Sequence, residues 1–170
     1  MSHPRILERM DIVEGFPAVD LQGGANSGDY ISLKNARRVA VVFLSGLGTA
    51  GDDPTLTLQQ AQDVAGTGVK ALNFTEILRK QAATSLAAVA QWTRTTQAAA
   101  NTYTNGTSAE EDLVWVVEID PTQLDVENGF DCIRATVADV GGNAQPGALF
   151  YLVEKQVEGD PTTALSLIAD

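Results

Sequence analysis

The sequence predicts a mainly all-β chain, an antiparallel β-sandwich or jelly-roll-like barrel with an N-terminal arm and at most short helical turns. Three observations predict it. Apolar and polar residues alternate with period two over much of the chain, which is the strand signature. Turn-forming clusters such as "GGANSGD", "SGLGTAGDDP" and "VGGNAQPG" recur at short intervals. The runs between them are rich in Val, Ile, Phe, Tyr and Trp, and too few helical stretches exist for the crossovers of a parallel α/β sheet.

Taken in order, residues 1–15 show neither period. Ile6, Leu7, Met10, Ile12 and Val13 suit a short amphipathic helix or an extended arm, so residues 1–15 are set apart from a single domain over 16–170. "DYISLKN" alternates Tyr30, Ser32 and Lys34 against Ile31 and Leu33. "RRVAVVFLSG" is a continuous apolar run between charges and glycine, long enough for a strand buried on both faces. "TLTLQQAQDV" alternates Leu56 and Leu58 with threonines. "ALNFTEILRKQ" puts Leu72, Phe74, Glu76 and Leu78 on one parity and Ile77 on the other. Residues 82–100 carry helix-forming alanines but alternate from Ser85 to Gln97, so helix and strand both stand, with the Thr cluster and Trp92 favouring strand. "LVWVVEID", "CIRATVADV" and "GALFYLVEKQV" complete a set of seven to nine strands. Pro121–Leu124 is expected to form one helical turn with Asp120 as its N-cap.

Composition narrows the function. At 170 residues and 44% hydrophobic, the chain can bury a substantial core without metal or disulfide. No apolar run approaches the roughly 20 residues needed to span a bilayer, and the N-terminus lacks the apolar core of a signal peptide. No membrane association and synthesis in a cytoplasm are expected. The net charge of −11 is lopsided: residues 1–94 hold nine basic and nine acidic side chains, residues 95–170 two and thirteen. Such an acidic half repels phosphate backbones, so no direct nucleic-acid contact is expected.

Candidate chemistry is sparse. The single histidine, His3, and the single cysteine, Cys132, supply neither a nucleophile–base pair nor a zinc site. Cys132 sits in a strand-like run and is expected to be a buried apolar thiol. "GLGTAG" imitates a dinucleotide fingerprint, but Pro54 and the Thr/Leu alternation announce a strand where a helix must begin. The acidic pairs Asp52/Asp53 and Glu118/Asp120 and the triplet Glu110/Glu111/Asp112 lie on loops or strand ends where carboxylates are ordinarily solvated. Asp125, Glu127 and Asp131 resemble a calcium loop whose glycine and bidentate Glu fall at the wrong positions. Asp-Pro-Thr occurs at residues 53–55, 120–122 and 160–162 with unequal spacing, so it reads as turn punctuation. No enzyme activity, cofactor or metal is expected.

The strings "SGDYISLKNARRVAVVFLSGLGTAGDDPTLTLQQAQDVAGTGVKALNFTEI", "NTYTNGTSAEEDLVWVVEID" and "LDVENGFDCIRATVADVGGNAQPGALFYLVE" resemble tailed-bacteriophage head decoration proteins. These capsid cement proteins are encoded beside the major capsid protein. The likeness spans residues 27–155. It implies a β-rich domain on the outer surface of an icosahedral shell, bridging and stabilising major capsid protein subunits, with no catalytic residues. A homo-oligomer, with a trimer favoured, and localisation in the virion are expected on this ground. The capsid or subunit contacts expected are Arg5, Ile6, Leu7 and Arg9 of the arm, with Arg37 and Arg38 at the start of the long apolar strand. The competing classes are another virion part, such as a head–tail joining or tail-tube protein, and a carbohydrate-binding β-sandwich.

Overall fold

The computed structural model describes residues 5–82 and 91–168, and its described strands form an antiparallel all-β sandwich. Among the described residues twelve strand segments are present: β1 (Met10–Asp20), β2 (Asn26–Ser27), β3 (Ile31–Ser32), β4 (Ala36–Ser45), β5 (Thr55–Ala61), β6 (Lys70–Ala71), β7 (Phe74–Ala82), β8 (Thr93–Ala100), β9 (Thr102–Thr104), β10 (Asp112–Ile119), β11 (Cys132–Val137) and β12 (Pro146–Lys155). One sheet has the order β1-β12-β4-β10-β7-β8. The other is built on β11 and β5, with β2 and β3 sharing one flank and β6 and β9 the other.

Alternation decides which residues fill the space between the sheets. Leu113, Trp115, Val117 and Ile119 of β10, Val39, Val41 and Phe43 of β4, and Leu149, Tyr151 and Val153 of β12 all point inward. Leu56 and Leu58 of β5 and Ile133, Ala135 and Val137 of β11 face them from the second sheet. Trp115 is fully buried at the centre. Phe43 lies 5.6 Å from it in a tilted arrangement and Tyr103 4.8 Å away edge-on, geometries that suit the ring quadrupoles. Its indole N–H donates to Gln81 Oε1 at 3.2 Å, so the one polar atom of the ring is satisfied.

Tyr151 ties the sheets together. Its hydroxyl accepts the backbone N–H of Ala135 at 2.8 Å, across the sandwich. That amide lies between the residues of β11 that pair with β3 and those that pair with β2, where no strand partner takes it. Burial holds the phenol in its neutral form and pushes its pKa far above the ordinary tyrosine range. Gly28 makes room for this contact: a Cβ there would sit 3.0 Å from the Tyr151 hydroxyl and 3.1 Å from the backbone of Gly15.

Four findings refine the sequence expectations. First, β1 carries the chain into the sandwich: it pairs with β12 from Met10↔Glu154 to Asp20↔Pro146, so the boundary after residue 15 falls inside a strand. Register shifts at Gly15 and at Pro17–Ala18 break its alternation, and an edge position tolerates Pro17. Second, a register shift between Phe74 and Glu76 lets both Phe74 and Ile77 face the core despite opposite parity. Third, only Ile31–Ser32 of "DYISLKN" is strand. Fourth, Thr93–Ala100 is a strand, while the rest of the alanine-rich stretch, 83–90, lies outside the described residues. The helical turn at Pro121–Gln123 forms, with Asp120 Oδ1 accepting from Thr122 N–H at 2.9 Å.

Candidate functional site

Two surfaces stand out: the end of the large sheet that collects the N-terminal turn, and the outward face of that sheet. The first begins with a single helical turn, Ile6–Arg9, held by Arg5 N–H donating to Glu8 Oε2 at 2.7 Å. The turn is tied to the chain beyond β12. Gly159 N–H donates to the Glu8 carbonyl at 3.1 Å, Lys155 Nζ to the Leu7 carbonyl at 3.1 Å, and Arg9 Nε pairs with Glu158 at 2.8 Å. Anchoring leaves the apolar side chains outside: Ile6 is 74% exposed and Leu7 47%. With Arg5 they border a shallow surface groove against Glu158–Thr162.

Arg37 and Arg38 stand at this same end, because Met10, Glu154 and Arg38 occupy adjacent strands in register. Arg37 Nη1 lies 3.7 Å from Glu154 Oε1, an exposed pair. The fold thus gathers the six residues singled out in the sequence at one end of one sheet, though the arm and the β4 entrance are some 30 residues apart in the chain.

The second surface is the outer face of β1-β12-β4-β10-β7-β8. The long apolar run of β4 is fully buried on its inner face; Ala40, Val42 and Leu44 point away from the second sheet, Ala40 and Leu44 half-buried and Val42 buried among its neighbours at 6% exposure. The expectation of a strand buried on both faces therefore holds at Val42 but not at Ala40 and Leu44, since among the described residues no second sheet covers that face. Register places Phe150, Val42, Val116 and Leu78 side by side on β12, β4, β10 and β7. Ile12, 58% exposed, extends the apolar surface across β1 beside Leu152. Trp92, 47% exposed, borders it near Leu78 and Val116, with Lys80 Nζ 4.9 Å from its ring centroid.

The acidic groups are committed separately. Asp53 Oδ1 accepts from Ser108 Oγ at 2.9 Å and Ala109 N–H at 3.0 Å, while Asp52 accepts from Asn143 at 3.1 Å. Asp125 is engaged by Lys70 and by both the Asn128 amide contacts at 2.8 and 2.9 Å. Those bonds hold its carboxyl below the usual range, first through Lys70 and then through Asn128. Asp120 and Asp160 repeat one geometry, each accepting from the backbone N–H and hydroxyl of the Thr two residues on, at 2.9 and 2.7 Å. Both carboxyls are lowered by these bonds. The Gly46–Gly51 loop is followed by strand β5, and a Cβ at Gly48 would strike the Gln145 side chain. Cys132 is buried, its Sγ 3.2 Å from Asp131 Oδ1; His3 lies outside the described residues. Among the described residues no group of three or more His, Cys, Asp and Glu is placed to hold a metal ion, and no helix is long and apolar enough to cross a membrane.

No protein family profile matches the sequence, and no curated protein matches it. Among solved structures the chain is similar to one from infectious bursal disease virus, Gt strain, at 8% identity and a TM-score of 0.26. That match covers 93% of this chain, which spans 44% of the length of that neighbour. Likeness at this level carries no functional argument.

Proposed function

We propose that the chain is a structural rather than a catalytic protein, one that attaches to the outer surface of a phage capsid and stabilises it by bridging major capsid protein subunits. The observation that carries the reading is the anchored N-terminal turn, which presents Ile6 and Leu7 to solvent beside Arg5, Arg9, Arg37 and Arg38. An exposed apolar pair on a fixed turn loses little entropy on docking, and the guanidiniums suit carboxylates on a partner. The resemblance of residues 27–155 to head decoration proteins supplies the partner. Repetition over a shell makes modest individual contacts sufficient through avidity.

The test is co-sedimentation with purified heads lacking this chain. Because β1 begins at Met10, the informative variant is Ile6→Asp/Leu7→Asp, which spares the ladder. Wild-type protein pelleting with heads while the variant stays in the supernatant supports the reading. Equal pelleting of both removes the turn from the interface.

A further inference from the structure

We infer that the outer face of the six-stranded sheet is the contact between two copies of this chain, packed face to face about a two-fold axis that runs along the strands. Register carries the inference. One row crosses the whole face: Glu14 on β1, Phe150 on β12, Val42 on β4, Val116 on β10, Leu78 on β7 and Arg94 on β8. The row is acidic at one edge, basic at the other and apolar between. A two-fold axis between β4 and β10 lays β1 of one copy over β8 of the other, β12 over β7 and β4 over β10. Phe150 then meets Leu78, Val42 meets Val116, and Glu14 meets Arg94, each twice.

The row is therefore complementary to itself in charge and polarity, the requirement of an isologous contact. Glu14 makes no ion pair among the described residues. Arg94 pairs through Nε with Glu76 at 3.4 Å in an exposed contact, and its guanidinium keeps further N–H donors. Area agrees: six strands of about eight residues make a face of roughly 29 by 26 Å, about 750 Å². That is close to the roughly 800 Å² per partner of a stable interface. Sheet-on-sheet packing at about 10 Å is the ordinary way such faces are covered. A face that pairs with itself closes at two copies, so the geometry selects a dimer over the trimer that the resemblance favours.

The inference does not rest on capsid attachment, and its test contains no capsid. Sedimentation equilibrium of the full chain gives twice the 18.0 kDa chain mass. Glu14→Arg and Arg94→Glu each raise the dissociation constant about tenfold or more, since each sets like charges opposite at two symmetric positions. The double variant Glu14→Arg/Arg94→Glu restores dimerisation, which separates a contact between copies from a change in fold. Val116→Asp gives a monomer whose strand circular dichroism is unchanged. A wild-type monomer, a trimer, single variants without effect, or a double variant no better than the singles overturns the inference.

Discussion

Removing the Tyr151 hydroxyl isolates one bond between the two sheets. In Tyr151→Phe the ring and its packing remain, and the Ala135 N–H loses its acceptor in a buried site. An unsatisfied buried donor costs about 1–3 kcal/mol. At about 2–4 °C per kcal/mol for a chain of this size, the melting temperature falls by about 2–12 °C. Urea denaturation followed by circular dichroism measures the free energy, and hydrogen exchange reads the Ala135 amide directly, which exchanges faster in the variant. Alkaline pH adds a second readout. The folded phenol's pKa is raised above its unfolded value of 10.0, so its contribution is full below about pH 10 and is lost as pH rises further. The wild type therefore loses stability above about pH 10 more steeply than the variant. A loss under about 0.5 kcal/mol, with Ala135 exchange unchanged, refutes the bridging role.

Three further outcomes follow from the geometry. Gln81→Leu removes the acceptor of the buried Trp115 N–H, and the urea midpoint drops by an amount equivalent to about 1–3 kcal/mol. Gly28→Ala forces a methyl against the Tyr151 hydroxyl and the Gly15 backbone, and thermal melting shows a loss of about 1–3 kcal/mol. The lowered carboxyls of Asp120 and Asp160 contribute stability above their unfolded value of 3.8 that disappears as pH falls through their folded values. Melting temperature accordingly declines below about pH 4, and Asp120→Asn, which keeps the accepting oxygen, shallows that decline.

Local physics made some elements legible and hid others. The strict alternation of Leu113, Trp115, Val117 and Ile119 announces β10, and Asp120 before Pro121 announces the turn after it, because both signals lie within a few residues. β1 hides because its bulges at Gly15 and Pro17 break the period that identifies a strand. Asp-Pro-Thr shows how far a short motif reaches: Asp120 and Asp160 make the same turn, but Asp53 is drawn away by Ser108 and Ala109, which are distant in sequence. The arm and the β4 arginines were recognisable as surface candidates. Their meeting at one sheet end was not, because it depends on β12 inserting between β1 and β4. The row from Glu14 to Arg94 needs the register of five strand pairs and is legible only in the folded chain.

The most direct test of the capsid assignment is electron microscopy of heads lacking this chain after incubation with gold-labelled wild-type protein. Label spread over the outer surface of the shell is the expected result. Label confined to one vertex, label on tails, or heads left bare contradicts it.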